Sequence, residues 1–245
     1  PQTALTTPTD TPRTSSKRLP RSSSGNNAFG TTTPTYSTTM KPTQEQLKKA
    51  KEEASQWASE RLADENTVIV DVETTGLLSK DPNTEIVQIS IVNIYGRPLL
   101  SMLLKPAQRM SEEVINIHKI SNEQVESQPT FPQVAKFISF VLEDKHLVAF
   151  NADFDIKLLW HLFKKYDQKV PKISGSSCCM DRYSEWCGEW SAKKDGYKWQ
   201  KLPQLSGMTS HDAFADCIST LKVMEKMAAN LDPKKVTEDM IDLSF

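Results

Sequence analysis

Long apolar runs are missing from this sequence. No stretch approaches the roughly 18 consecutive apolar residues of a membrane span, and the amino terminus lacks the apolar core of a secretory signal. We therefore expect a soluble, cytoplasmic protein with no membrane partner. The chain starts at Pro1 rather than at methionine, which is consistent with a processed product or a piece of a longer protein.

Cysteines are also few. The four are Cys178, Cys179, Cys187 and Cys217. They show no C-x-x-C spacing and are too sparse for a disulfide framework, which suits a reducing compartment. A structural zinc site built from the first three is one interpretation. Buried free thiols are the preferred one.

Large apolar residues are scarce in residues 1–42, which are rich in Thr, Ser and Pro. Such a composition buries too little surface to offset the entropy of the chain, so residues 1–42 are predicted to be a disordered tail. The tail has five basic residues and one acidic residue, a net charge of +4, while the whole chain carries −1. It is either a spacer or a weak electrostatic attractor of nucleic acid.

Residues 43–64 are predicted to form a helix. Thr43 and Gln46 have the spacing of a capping box, and the apolar residues that follow keep helical spacing up to Asp64. This helix either packs on the domain that follows or binds a partner.

Residues 65–230 are predicted to be one α/β domain, followed by a short tail at 231–245. Strands are expected at 67–72, 85–94, 99–104, 146–150 and, less distinctly, 173–177. Helices are expected around 134–142, 152–166 and 212–229. Three early strands followed by alternating helices and strands predict a three-layer α/β fold, with a mixed central β-sheet flanked by helices.

Two acidic residues stand at the end of the first predicted strand. Asp71 and Glu73 are two residues apart, so in extended backbone both side chains point to the same face. Two carboxylates at the end of a buried strand are unfavourable unless a cation lies between them. An ordinary solvated strand end is the alternative. Thr74, Thr75 and Gly76 then turn the chain, and Gly76 allows the backbone to approach a ligand closely.

Two further motifs carry acidic residues into helices. Asp155 begins a helix, where it could also simply complement the helix dipole, and Asn151 or Asp153 could cap that helix. Asp216 lies near the start of the last helix. His211 cannot share the helical face of Asp216 and is expected to project from the preceding loop, as a general base or as a surface histidine.

Together these motifs resemble those of the DnaQ-like DEDDh 3′-5′ exonucleases, a family that includes polymerase proofreading subunits. The resemblance covers roughly residues 67–229. It implies a ribonuclease-H-like fold in which Asp71, Glu73, Asp155 and Asp216 hold two Mg²⁺ or Mn²⁺ ions. By the same resemblance, His211 would deprotonate the attacking water.

The resemblance also implies a set of substrate contacts. Residues 74–77, ending at Leu77, would line the pocket of the 3′-terminal nucleotide. Ile117-His118-Lys119-Ile120-Ser121 looks like a family turn near the bound strand, where His118 would be structural or would position substrate. Phe154 would be either an apolar contact or a core residue, and Asn151 a contact or a cap.

Between Asp155 and His211, aromatic residues alternate with lysines. They are Tyr183, Trp186, Trp190, Tyr197 and Trp199 among Lys193, Lys194, Lys198 and Lys201. Such residues can stack bases and hold phosphates. The helical spacing of Tyr183, Trp186 and Trp190 equally suits a packed subdomain.

The sequence therefore predicts a metal-dependent 3′-5′ exonuclease that acts on single-stranded DNA or RNA 3′ ends and releases nucleoside 5′-monophosphates. A non-catalytic nucleic-acid-binding or assembly subunit with the same fold is the rival hypothesis. The apolar residues within 239–245 either dock on the core or enter the groove of a partner, such as a polymerase or sliding clamp.

Overall fold

The computed structural model describes residues 41–205 and 211–231. The predictions made for residues 1–40 and for most of the C-terminal tail, 232–245, lie outside these ranges. Within the described residues, no helix is both long enough and apolar enough to cross a membrane.

The chain enters the domain through one long helix and then forms most of its sheet. Helix α1 is Gln44–Ala63, and the strands that follow are β1 (Thr67–Thr74), β2 (Ile86–Asn93) and β3 (Pro98–Leu103). Thr43 and Gln46 form the predicted capping box at the start of α1. The turn between β2 and β3 contains Gly96, whose φ of 73° favours glycine.

Helices then alternate with short strands. These elements are α2 (Glu112–His118), α3 (Asn122–Val125), α4 (Phe131–Leu142), β4 (His146–Ala149), α5 (Ala152–Lys165), β5 (Gly175–Cys178), α6 (Cys179–Cys187), β6 (Trp190–Ser191), β7 (Gly196–Tyr197) and α7 (Ala213–Ala228). The predicted helices around 134–142, 152–166 and 212–229 correspond to α4, α5 and α7. Helices α2 and α3 and the β6–β7 hairpin were not predicted, and α6 contains Tyr183 and Trp186, two of the three aromatic residues with helical spacing.

The five long strands form one mixed sheet in the order β3-β2-β1-β4-β5. Strands β1 to β3 are antiparallel neighbours, while β4 runs parallel to β1 and β5 runs parallel to β4. Because β1 and β4 are parallel neighbours, their carboxyl ends meet at the same edge of the sheet. The three-layer fold with a mixed sheet is confirmed.

The two faces of the sheet support separate apolar clusters. Val68, Val70 and Val72 of β1 pack with α4 and α5. Ile69 points to the other face and packs with α1, α6 and α7. Alternating side chains of a buried strand thus serve two layers, and helix α1 packs on the domain rather than standing apart from it.

Candidate active site

Asp71 and Glu73 lie on the central strand, at the carboxyl end of β1. They alternate with Val70 and Val72, so they share the face of the sheet that α7 covers. Glu73 is buried and Asp71 is partly buried. The prediction that these two carboxylates point to one side is therefore confirmed by the strand geometry.

Asp155 reaches the same place from the first turn of α5. It is buried, and its Oδ1 accepts a hydrogen bond of 3.2 Å from the backbone N–H of Val72. This bond ties the start of α5 to the residue between Asp71 and Glu73. Neighbouring Asp153 is exposed instead and pairs with Lys157 at 2.9 Å.

Asp216 comes from the first turn of α7 on the face of the sheet that carries Asp71. It is buried, and its Oδ1 accepts a hydrogen bond of 3.3 Å from Gln204. His211 precedes the helix, as predicted, and is exposed. Its φ of 58° is left-handed, a conformation that non-glycine residues rarely adopt.

A polar link fixes the start of α7 against β2. Asp212 caps the helix by accepting from the N–H of Ala215 at 2.9 Å. Gln88 donates to Asp212 at 3.1 Å and accepts from the N–H of Ala213 at 3.1 Å. Since Gln88 pairs with Glu73 in the sheet register, the link connects His211 and Asp216 to the strand that carries the other acids.

Burial and the charges of neighbouring acids raise the pKa values of the four carboxylates. Burial, followed by the charges of Asp155, Glu73 and Asp216, raises the pKa of Asp71 well above its usual range. Burial and the charges of Asp216 and Asp155 raise the pKa of Glu73 to about 8. Burial raises the pKa of Asp155 to about 7. The acids are therefore close enough to form a single electrostatic unit.

Two neighbours of Asp216 oppose the rise in its pKa. Burial raises its pKa, whereas the hydrogen bond from Gln204 and the positive charge of His211 lower it. Ligand atoms of Glu73, His211 and Asp216 all lie within 4.8 Å of one another. The structure thus brings the predicted imidazole to the predicted carboxylates.

This donor set fits a divalent cation. Carboxylate oxygens are the ligands that Mg²⁺ and Mn²⁺ prefer, and a cation among these acids would relieve the repulsion that raises their pKa values. The buried Glu73 and Asp155 have no lysine or arginine partner within the described residues.

Thr74 ends β1, and residues 75–77 continue directly from the strand that carries Asp71 and Glu73. The hydroxyl of Thr74 donates to the carbonyl of Gly76 at 2.7 Å, and Oγ1 of Thr75 accepts from the N–H of Glu85 at 3.0 Å. Leu77 is 44% exposed. A large apolar side chain left in solvent, four residues after Glu73 in the chain, is available to a ligand.

The remaining predicted contacts differ in their surroundings. His118 is buried, and its Nδ1 accepts from the N–H of Ile120 at 3.1 Å. Its Nε2 has no partner among the described residues. Burial and the charge of His211 lower the pKa of His118, so the two imidazoles interact. Asn151 is exposed at the start of α5 and its side chain makes no capping bond, whereas Phe154 packs partly on the core.

Gln88, Asp212 and Gln204 were missed by the sequence interpretation. Asp212 had a readable signal, because an acidic residue directly before a predicted helix is a common cap. No sequence signal pointed to Gln88 or Gln204, because each lies in a different part of the chain from the acid that it contacts.

The cysteines do not form a metal site within the described residues. All four are free; Cys179 and Cys217 are buried, and Cys178 and Cys187 are partly buried. Burial raises the pKa of Cys178 to about 11 and raises those of the other three thiols too. The preferred interpretation, buried free thiols, holds for Cys179 and Cys217, while Cys178 and Cys187 are free but only partly buried.

Comparison with known proteins identifies the family. The RNase_T model, described as exonuclease, matches residues 68–224. An uncharacterized exonuclease, CP81 of Escherichia phage 186, is 32% identical over 186 residues, which cover 71% of this chain and 93% of the phage protein. The DNA polymerase III subunit epsilon of Escherichia coli K12 is 30% identical over 114 residues, covering 44% of this chain and 47% of that protein. The match thus spans about half the length of the epsilon subunit.

A solved structure shows the same fold. Exonuclease I of E. coli, in complex with a dA16 oligonucleotide, superposes with a TM-score of 0.53 at 16% identity, covering 69% of this chain and 41% of that one. The family match extends over most of the described domain. It includes the four predicted metal ligands and the predicted general base, Asp71, Glu73, Asp155, Asp216 and His211. The chain belongs to the RNase_T exonuclease family and is an enzyme of the hydrolase class.

Proposed function

We propose that this chain is a metal-dependent 3′-5′ exonuclease that shortens single-stranded nucleic acid from its 3′ end and releases nucleoside 5′-monophosphates. One observation carries the proposal. Four carboxylates from β1, α5 and α7 converge so closely that burial and mutual repulsion raise their pKa values. Such an arrangement is unfavourable by itself and useful to an enzyme that binds divalent ions.

Asp71, Glu73, Asp155 and Asp216 would hold two Mg²⁺ or Mn²⁺ ions. When bound, such ions supply charge stabilisation for the attacking and leaving oxygens of the phosphodiester. One oxygen of Asp155 accepts from the N–H of Val72, which would hold the carboxylate in place while its other oxygen binds an ion. Gln204 would hold Asp216 in the same way.

His211 would be the general base. A ligand atom of its ring lies within 4.8 Å of those of Glu73 and Asp216, which is close enough to take a proton from water held beside the carboxylates. Its exposure lets the proton leave to solvent. The adjacent cap and the Gln88 link hold its backbone while the ring remains accessible.

The terminal nucleotide would lie along residues 74–77. Backbone groups near Gly76 would face the sugar and Leu77 would contact the base, since Leu77 is exposed and follows Glu73 by four residues. Asn151 and Phe154 would contact the strand from the start of α5. His118 would position substrate through Nε2, the atom for which the described residues provide no partner.

The relatives support nucleic acid as substrate and a replication complex as partner. The solved relative is in complex with a dA16 oligonucleotide, and several curated relatives are DNA polymerase III subunits. We propose that this chain acts on a single-stranded 3′ end, and that a polymerase, a sliding clamp or another nucleic-acid-processing complex recruits it. The cytoplasmic location stays a prediction.

A matched pair of variants tests the catalytic assignment against the rival, non-catalytic subunit. Asp155→Asn keeps an oxygen for the N–H of Val72 but removes a charge from the cluster. Asp153→Asn removes a charge two residues away, on the exposed side of α5. Both variants and the wild type would be assayed on 5′-labelled single-stranded and duplex DNA and RNA, with the 3′ end free or blocked, in Mg²⁺ or in EDTA.

We expect stepwise shortening of the free 3′ end by the wild type and by Asp153→Asn, only with the metal present. Asp155→Asn should lose at least about 10²-fold in turnover. A wild type that binds these strands but never shortens them would favour the non-catalytic subunit. Activity of Asp155→Asn equal to that of Asp153→Asn would remove Asp155 from the site.

A further inference from the structure

The β6–β7 hairpin and the segment that follows it carry exposed lysines and an exposed tryptophan, and this segment continues to Gln204, which contacts Asp216. In the hairpin, Trp190 pairs with Tyr197 and Ser191 with Gly196. The rings of Trp190 and Tyr197 meet edge to face, with centroids 5.5 Å apart. This aromatic pair fixes the base of a short hairpin that would be marginal alone. Trp190 therefore lies in a strand, whereas its helical spacing with Tyr183 and Trp186 suggested a helix.

Trp199 is the exposed centre of this surface. It is 60% exposed, an unusual state for the largest apolar side chain. The ammonium group of Lys194 lies 4.0 Å from the centroid of its ring. A tryptophan that faces solvent with a cation on its ring provides a surface on which a base can stack next to a phosphate.

The lysines around Trp199 leave positive charge in solvent. Lys198 pairs with Glu189 at 3.0 Å, while Lys193 and Lys201 are exposed and have no ion pair within the residues that the structure describes. Residues 192–201 contain four lysines and one acidic residue, Asp195. We call Lys193, Lys194, Lys198, Trp199 and Lys201 the hairpin surface.

A short segment of chain connects the hairpin surface to the active site. The N–H of Gln200 donates to Ser184 of α6 at 3.3 Å, and Leu202 packs on the core. Two residues further, Gln204 donates to Asp216. Trp199 and Gln204 are five positions apart in the chain, so their Cα atoms are at most about 17 Å apart even if the chain is fully extended. That length corresponds to about five stacked nucleotides at roughly 3.4 Å each.

We propose that the hairpin surface binds the substrate strand a few nucleotides before its 3′ end, with one base stacked on Trp199 and phosphates beside Lys193 and Lys201. The inference rests on the proposed exonuclease function and adds to it a second binding surface that depends on strand length. A single strand fits this surface better than a duplex, because the bases of a duplex are already stacked and present no free face.

Two substrates separate the hairpin surface from the active site. The p-nitrophenyl ester of thymidine 5′-monophosphate contains one nucleotide and reports on the active site alone. A single-stranded 20-mer reaches both. Trp199→Ala should raise KM for the 20-mer at least about fivefold, with kcat and the rate on the ester unchanged. Trp199→Phe should keep most of the affinity.

Lys193→Ala combined with Lys201→Ala should weaken binding of the 20-mer and reduce its salt dependence. Binding would be measured by fluorescence anisotropy in EDTA, without hydrolysis. The slope of log K against log salt should fall by roughly 0.7 for each phosphate that a lysine no longer neutralises. The matched controls are Phe140→Ala and Lys136→Ala on α4, where Phe140 is also exposed.

The proposal is overturned if Trp199→Ala binds and degrades the 20-mer as the Phe140→Ala control does. It is equally overturned if both substrates lose rate together, because the hairpin would then act on the active site itself. A wild type that hydrolyses neither substrate contradicts the proposed function instead. In that case anisotropy still decides whether the hairpin surface binds single strands or serves a protein partner.

Discussion

Replacing Glu73 by glutamine should stabilise the metal-free protein at alkaline pH and leave it nearly unchanged at pH 5. Burial and neighbouring acids raise the pKa of Glu73 from 4.5 to about 8. Between these values the folded state binds more protons than the unfolded state. The contribution of this carboxyl group to stability is therefore fully present below about pH 4.5 and is lost as the pH rises through about 8.

The size of the effect follows from that difference. A pKa raised from 4.5 to about 8 means that ionisation of Glu73 lowers the free energy of unfolding by on the order of 5 kcal/mol in a rigid structure. Side-chain rotation and entry of water reduce it, so we expect a gain of about 1–2 kcal/mol in the free energy of unfolding for Glu73→Gln near pH 8.5. For a chain of this length the melting temperature should rise by roughly 2–8 °C.

The measurement is a series of thermal melts by circular dichroism in EDTA, from pH 5 to pH 9. The matched control is Glu60→Gln, because Glu60 is exposed on α1 and its only hydrogen bond that the structure describes comes from Gln56. Burial lowers the pKa values of His118 and His146, and their contributions increase as the pH rises toward 6.5. The difference between variant and wild type cancels this opposite trend.

Magnesium supplies the second half of the test. It should stabilise the wild type more than Glu73→Gln near pH 8.5, because the variant has lost a ligand and part of the repulsion that the cation relieves. If Glu73→Gln melts at the same temperature as the wild type in EDTA near pH 8.5, or below it, the acids do not repel one another as the structure implies.

Three further outcomes are expected. His211→Ala should lower kcat about 10²-fold or more while the affinity for a single strand, measured by anisotropy, persists; loss of affinity with an intact kcat would make it a positioning residue. Gln88→Ala should lower kcat and reduce the free energy of unfolding in urea by about 1–3 kcal/mol, because Asp212 and the N–H of Ala213 each lose the bond to Gln88. Wild-type kinetics would show that the link is dispensable. Ile138→Ala should lower the free energy of unfolding by about 2–5 kcal/mol and leave kcat unchanged, since Ile138 is fully buried on α4, away from the acids. A fall in kcat that matches the loss of stability would contradict this separation.

The strand pattern predicted the relation between Asp71 and Glu73 correctly because it depends only on local geometry. In any strand, residues two apart share a face. The contributions of α5 and α7 depend instead on the sheet order. Only the position of β4 beside β1 brings the start of α5, and with it Asp155, next to Val72. Periodicity predicts the strands but does not determine which strands become neighbours.

The aromatic segment shows where a local signal was overlooked. Tyr183, Trp186 and Trp190 keep helical spacing, and the structure confirms a helix for the first two. Gly188 ends α6 with a φ of 70°, the left-handed conformation in which glycine commonly terminates helices. Trp190 therefore enters the hairpin. Tyr183 and Trp186 pack on the core, which leaves Trp199 as the exposed aromatic residue of the segment.

The missed residues share one property, which is that they join the two sides of the site. Gln88 connects β2 to α7, and Gln204 connects the segment after the hairpin to Asp216. Cys217, one residue beyond Asp216, donates to the carbonyls of Ile69 and Ser90 at 3.6 and 3.5 Å. A small side chain at this position lets α7 lie against β1 and β2. Asp216 can then approach Glu73 despite their repulsion, because packing and hydrogen bonds hold the helix where the charges alone would separate it.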